Sequence, residues 1–227
     1  MRITLNNIGK RYNYEWIFRK VNYEFSSDHN YVILGSNGSG KSTLLQVIAG
    51  NLIPSEGGIS YKVPDFNFQL ASNNLSNQQT ETPDLKIEIE NEKIFKHLSF
   101  AAPYLDLFEE FTLQESIEFH AQFKPFYKGL DTKKIIELTQ LEKAKDKQLK
   151  VYSSGMKQRV RLALAILCDT PLLLLDEPTS NLDKKAIDWY QNLINDYSQN
   201  RLIIVCSNQQ EYEYPFCNKE LQIEEYK

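Results

Sequence analysis

Gly35-Ser36-Asn37-Gly38-Ser39-Gly40-Lys41-Ser42-Thr43 follows the apolar run Tyr31-Val32-Ile33-Leu34 and precedes Leu44-Leu45-Gln46-Val47-Ile48-Ala49, a stretch of helical character. Strand, glycine-rich turn and helix, in that order, suit a polyphosphate. Several backbone N–H groups must converge on the anion, and residues without a Cβ let the chain come that close. The helix that follows adds its unpaired N-terminal amides and the positive end of its dipole. In such a loop Lys41 reaches the terminal phosphate oxygens, and the Ser42 hydroxyl completes a Mg²⁺ shell. The chain holds only 9 glycines, and Gly35, Gly38 and Gly40 fall in this loop, so compositional bias does not explain the pattern.

The 227 residues suffice for one domain with a sizeable core. With 26 basic and 30 acidic residues the net charge is −4, whereas a nucleic-acid partner favours a basic surface; none is expected. Cys168, Cys206 and Cys217 lack C-x-x-C spacing, and two lie in apolar segments. They read as reduced thiols of a cytoplasmic protein. No apolar run approaches the ~20 residues of a membrane helix. Met1-Arg2-Ile3-Thr4-Leu5 alternates like a strand and does not resemble a signal peptide. A role at a membrane would therefore call for a separate membrane-spanning polypeptide.

Residues 1–35 predict short strands at Arg2–Leu5, Val21–Phe25 and Tyr31–Leu34, then a helix over 43–50 closed by Gly50. The polar tract Ala71–Thr82 predicts a mobile loop, and Leu85–Glu90 alternates like a strand with one wet face. From about 104 to 167 the pattern turns helical. Thr112 or its neighbour caps a helix through Phe119–Phe123, Thr132–Leu138 continues the helical period, and lysine-rich 143–150 reads as solvated. Leu172-Leu173-Leu174-Leu175 then predicts a buried parallel strand, followed by a helix over 184–196 and a strand at Leu202–Cys206.

Leu172–Leu175 runs directly into Asp176-Glu177. A carboxylate ending a buried strand lies at the sheet's carboxyl edge, where open α/β sheets bind ligands. Asp176 is placed to hold Mg²⁺ through water, and Glu177 to take a proton from an attacking water. Between these motifs, Tyr152-Ser153-Ser154-Gly155-Met156 opens a helix; such residues form an ordinary N-cap or an anion site.

In this order the motifs resemble those of an ATP-binding cassette (ABC) ATPase, over nearly the full chain. Gly35–Thr43 is similar to the Walker A loop, Leu172–Glu177 to the Walker B strand with its catalytic glutamate, Tyr152–Met156 to the L-S-G-G-Q signature, and Ser180-Asn181-Leu182-Asp183 to the D-loop. Tyr12 resembles the aromatic that stacks on adenine, with Tyr14 and Trp16 as alternatives. The resemblance implies an α/β P-loop NTPase core with a mostly parallel sheet (1–103 and 168–227), an N-terminal antiparallel β subdomain and an inserted helical signature subdomain. It implies ATP and Mg²⁺ as ligands, and a head-to-tail dimer with a second copy or a related ATPase subunit. In that dimer Ser153, Ser154 and Gly155 touch the γ-phosphate held by the other protomer. It also implies a separate transmembrane permease subunit, contacted near 100–150, that holds the chain peripherally on the inner face of the membrane. ABC-type ATPases of DNA repair or translation usually carry coiled-coil inserts or two cassettes, and this chain shows neither.

Three departures stand out. Pro103 occupies the place of a glutamine that serves Mg²⁺ and the lytic water, and it has no polar side-chain atom. Asn208 stands where the family has its switch histidine; it can still donate a hydrogen bond but is never cationic. Ser154 and Met156 replace the first glycine and the glutamine of the signature. The expectation is ATP binding and dimer closure with slowed hydrolysis, or an ATP-gated regulatory module.

Overall fold

The computed structural model describes residues 1–64 and 86–227; the polar tract Ala71–Thr82 lies outside them. Strands β1 (Arg2–Tyr12) and β2 (Glu15–Ser26) form a hairpin, joined through Asn13 in the left-handed region (φ 54°). The two short strands expected here are parts of these longer ones. Register shifts between Leu5 and Ile8, and again beside Lys10, break the two-residue alternation that marks a strand in sequence. With β4 (Glu56–Pro64) and β5 (Lys86–Ile89) they make an antiparallel sheet of order β2-β1-β4-β5.

The second sheet is parallel throughout. Its order is β6-β7-β8-β3-β9, with β3 Asn30–Leu34, β6 Leu98–Ala101, β7 Leu172–Asp176, β8 Leu202–Ser207 and β9 Lys219–Gln222. β7 and β8 are buried at every position. Their unbroken apolar runs are needed because both faces are covered. Leu172, Leu174 and Ile204 join Ile3, Leu5 and Phe25 in a core completed by Leu44, Leu45 and Ile48 of helix α1 (Lys41–Ile48). Leu173, Leu175, Ile203 and Val205 face the opposite side. There they pack with Val160 and Leu164 of α4 (Ser154–Ile166) and with Trp189 and Leu193 of α5 (Lys184–Tyr197).

Two further helices precede α4 in the chain. In α2 (Leu113–Ala121), Thr112 closes a capping box with Glu115, and the C-cap is Gln122, so Phe123 lies beyond the helix end. In α3 (Thr132–Thr139), Asp131 is the N-cap. Among the described residues, no helix is long and apolar enough to cross a membrane.

At the edge of the parallel sheet opposite the glycine-rich loop, Arg201 is 3% exposed. Its guanidinium donates to the carbonyls of Ile166 and Cys168 and to the hydroxyls of Ser99 and Thr170, at 2.7–3.1 Å. One side chain thereby ties the starts of β6 and β7 to the end of α4. Replacing Arg201 by alanine leaves buried acceptors unpaired, each worth about 1–3 kcal/mol. Arg201→Ala is expected to destabilise the protein by about 3 kcal/mol or more, read as a fall in the midpoint of urea unfolding.

Candidate functional site

In the parallel register Leu34 lies opposite Ser207, and Asp176 opposite Cys206. The residues that follow these strands, Gly35, Glu177 and Asn208, therefore leave the sheet at the same edge. Gly40 is the N-cap of α1, at φ 105°, and a Cβ there would stand 2.6 Å from the Ile17 side chain. Only glycine fits. The helix begins at Lys41, two residues before the expected start, with the Leu44 amide bonded to the Gly40 carbonyl at 2.9 Å. The Lys41, Ser42 and Thr43 amides precede that first bond and face an open cavity of about 330 Å³. Ile17, Asn37, Gly38, Gly40, Lys41, Ser42, Thr43 and Glu177 line it. Lys41 is buried, with Nζ donating to the carbonyls of Gly35 (2.9 Å) and Ser36 (3.0 Å).

Gly35, Ser36 and Ser39 support the loop from outside the cavity. The Ser36 amide and hydroxyl both donate to Glu224 Oε1, and Ser39 is buried beneath Gly35.

Asp176 is 1% exposed. Burial raises its pKa, opposed by the hydroxyls of Ser42 and Tyr104. Its Oδ2 accepts from the Tyr104 hydroxyl at 2.9 Å, while Oδ1 is buried and takes no hydrogen bond among the described residues. An orphaned carboxylate oxygen beside a hydroxyl suits a hard cation. Among the described residues no group of three or more acidic, histidine or cysteine side chains could hold a metal. A cation here would complete its shell with phosphate oxygens and water. Glu177 lines the same cavity with φ 41°, its amide bonded to the Cys206 carbonyl at 2.9 Å.

Two residues of this neighbourhood escape a reading of the sequence. Tyr104, next to Pro103, carries the polar contact that proline lacks. Glu213, 3% exposed, accepts from the Thr179 hydroxyl (2.7 Å) and amide (3.3 Å) and from the Ser207 hydroxyl. It thereby clamps the chain just after Glu177 to the chain just before Asn208. In a polar stretch such as Gln209–Tyr214 a lone acid reads as solvated, so no local signal marks it.

The helix start at Ser153–Gly155 is not among the residues lining this cavity. Ser153 is the N-cap of α4, its Oγ accepting from the Met156 amide at 3.3 Å, and both Ser153 and Ser154 are exposed. Gly155 packs on Asn181, whose carbonyl would lie 2.8 Å from a Cβ. Gln158 Nε2 donates to the Pro178 carbonyl at 2.9 Å, so the helix is fixed to the loop that follows Glu177. Of the three aromatic candidates, Tyr12 is half-exposed, with Lys10 Nζ 5.4 Å from its ring; Tyr14 is exposed; and Trp16 has Arg11 and Arg19 at 5.5 and 4.1 Å. None lines the cavity, which Ile17 reaches instead.

A parallel sheet with this loop and these carboxylates at its carboxyl edge defines a P-loop nucleotide-binding protein. The family model described as "ABC transporter" matches residues 18–180, and the chain belongs to that family. It is 30% identical, over 93% of its length and 74% of the relative's, to the energy-coupling factor transporter ATP-binding protein EcfA1 of Thermotoga maritima. It is 28% identical to the sulfate/thiosulfate import ATP-binding protein CysA of Mesostigma viride, over 94% of the chain but only 57% of that relative's length. The fold matches that of a putative ABC transporter ATP-binding protein from Pyrococcus furiosus with a TM-score of 0.73 at 16% identity, covering 100% of this chain and 99% of the other.

Burial raises the pKa of Glu213. The folded state therefore holds a proton that the unfolded state releases, from about pH 4.5 up to the raised value, and stability falls as pH rises through that window. Glu213→Gln is expected to remove this dependence, seen as a flatter plot of melting temperature against pH, whereas Glu213→Ala frees both hydroxyls and lowers stability at every pH.

Proposed function

We propose that this chain binds ATP with Mg²⁺ and hydrolyses it as one half of a head-to-tail dimer, driving a separate membrane-spanning subunit from the inner face of the membrane. The observation that carries this reading is the division of the anion-binding groups. Lys41, Ser42 and Glu177 line one cavity, with Asp176 beside Ser42, while the serine-rich start of α4 is exposed elsewhere. A second copy, or a related ATPase subunit, would supply Ser153, Ser154 and Gly155 to the γ-phosphate. Ser42 and Asp176 would hold Mg²⁺, which neutralises charge between phosphate oxygens. Lys41 orients the terminal phosphates, Glu177 accepts the proton of the attacking water, and Asn208 donates a hydrogen bond toward the γ-phosphate. Tyr12 remains the choice for stacking on adenine.

The helical unit, about 104–167, carries the surface suited to the membrane subunit. Phe108 and Phe123 are 60% and 68% exposed, and both rings pack on Phe119, at 5.2 and 5.1 Å. An exposed aromatic cluster of this kind marks an interaction site. Pro103 and Asn208 support a second reading, an ATP-gated regulatory module whose output is binding.

Glu177→Gln is expected to retain ATP and accumulate a dimer on size exclusion; a variant that stays monomeric with ATP overturns the sandwich. Asn208→His is expected to raise steady-state ATPase activity, by up to the order of 10²-fold that one transition-state hydrogen bond commands. An unchanged rate would show that Asn208 does not limit turnover.

A further inference from the structure

The turn after β6 sends one side chain back into the nucleotide site. Leu105 N donates to the Ala102 carbonyl at 3.1 Å, closing the turn, and the Leu105 carbonyl accepts from Arg161 Nε of α4 at 2.6 Å. Between them stands Tyr104, about half exposed. Its hydroxyl donates to Asp176 Oδ2 at 2.9 Å and accepts from Gln46 Nε2 of α1 at 3.3 Å. The end of β7, helix α1 and the β6 turn thus meet at one phenolic oxygen.

The terminal torsion of an aspartate is soft, so a buried carboxylate needs a partner to fix its plane. Tyr104 occupies one oxygen of Asp176. The other, Oδ1, is left buried and without a hydrogen bond among the described residues.

We propose that Tyr104 is the positioning residue of the cation site: its hydroxyl sets the rotation of the Asp176 carboxylate so that Oδ1 is presented to the Mg²⁺ held with Ser42. The inference rests on the ATP–Mg²⁺ reading above and assigns a role that neither Pro103 nor Glu177 fills. Outer-shell partners of metal-binding carboxylates act in this way, and removing one typically weakens metal affinity 10- to 100-fold. The bond to Gln46 keeps the phenol from swinging into solvent, and the Arg161 contact keeps its backbone from following.

Tyr104→Phe deletes the hydroxyl and keeps the ring. Equilibrium titration with trinitrophenyl-ATP in EDTA and again with Mn²⁺, together with loss of the free Mn²⁺ signal in electron paramagnetic resonance, separates metal binding from nucleotide binding. The variant is expected to match the wild type in EDTA and to bind Mn²⁺ about 10- to 100-fold more weakly in the nucleotide complex. Unchanged Mn²⁺ affinity overturns the proposal, and so does an equal loss with and without metal, which would mark a bond that only supports the fold. Failure of the wild type itself to bind the nucleotide, or to take up Mn²⁺ with it, would instead overturn the ATP–Mg²⁺ reading, and the role of Tyr104 with it.

Discussion

In a parallel sheet every strand ends on the same edge, so the register between strands decides which side chains meet there. A slip of one residue would carry Asp176 about 3.3 Å along its strand and turn it to the opposite face. Two cores prevent that slip. Leu172 and Leu174 are committed to the side of α1, Leu173 and Leu175 to the side of α4 and α5, and Ile203 and Ile204 divide in the same way. Hydrophobic packing on two faces thus aligns the glycine-rich loop, the Asp176-Glu177 pair and the segment after β8.

The polar contacts then refine that alignment, and they do so mostly without ion pairs. Asp176 and Glu213 are both buried and both held by hydroxyl groups. Buried carboxylates held in this way stay responsive. Burial raises both, and a hydroxyl can rotate to suit a charged or a neutral partner. Arg201 is the counterpart at the far edge, where both terminal nitrogens of a buried guanidinium donate to carbonyls and hydroxyls. There the polar group joins the starts of β6 and β7 to the end of α4.

The parts of this molecule that are legible in the sequence are those written locally. The loop over Gly35–Thr43, the run Leu172–Leu175 and the Thr112–Glu115 cap each carry their signal within a few residues. The hairpin of β1 and β2 was readable only in pieces, because its bulges erase the alternation. The four residues of β9 are too few to show a period. Tyr104 and Glu213 were illegible for another reason: each acts on a residue far away in the chain, and nothing beside it announces the partner. Tyr104 stands next to Pro103, and its contact with Asp176 depends on β6 and β7 lying side by side.

The backbone of Glu177 lies in the left-handed region, where a residue with a Cβ costs about 1–2 kcal/mol. Its amide bond to Cys206 and the Ser180 amide bonded to its carbonyl hold it there against that preference. Glycine would adopt the same conformation with little strain. Variation screened for heat resistance alone would therefore drift toward glycine at this position, while variation screened for chemistry would keep the carboxylate. The two pressures meet on one residue and pull in opposite directions, so the most resilient form of this fold and its most active form need not share the same sequence.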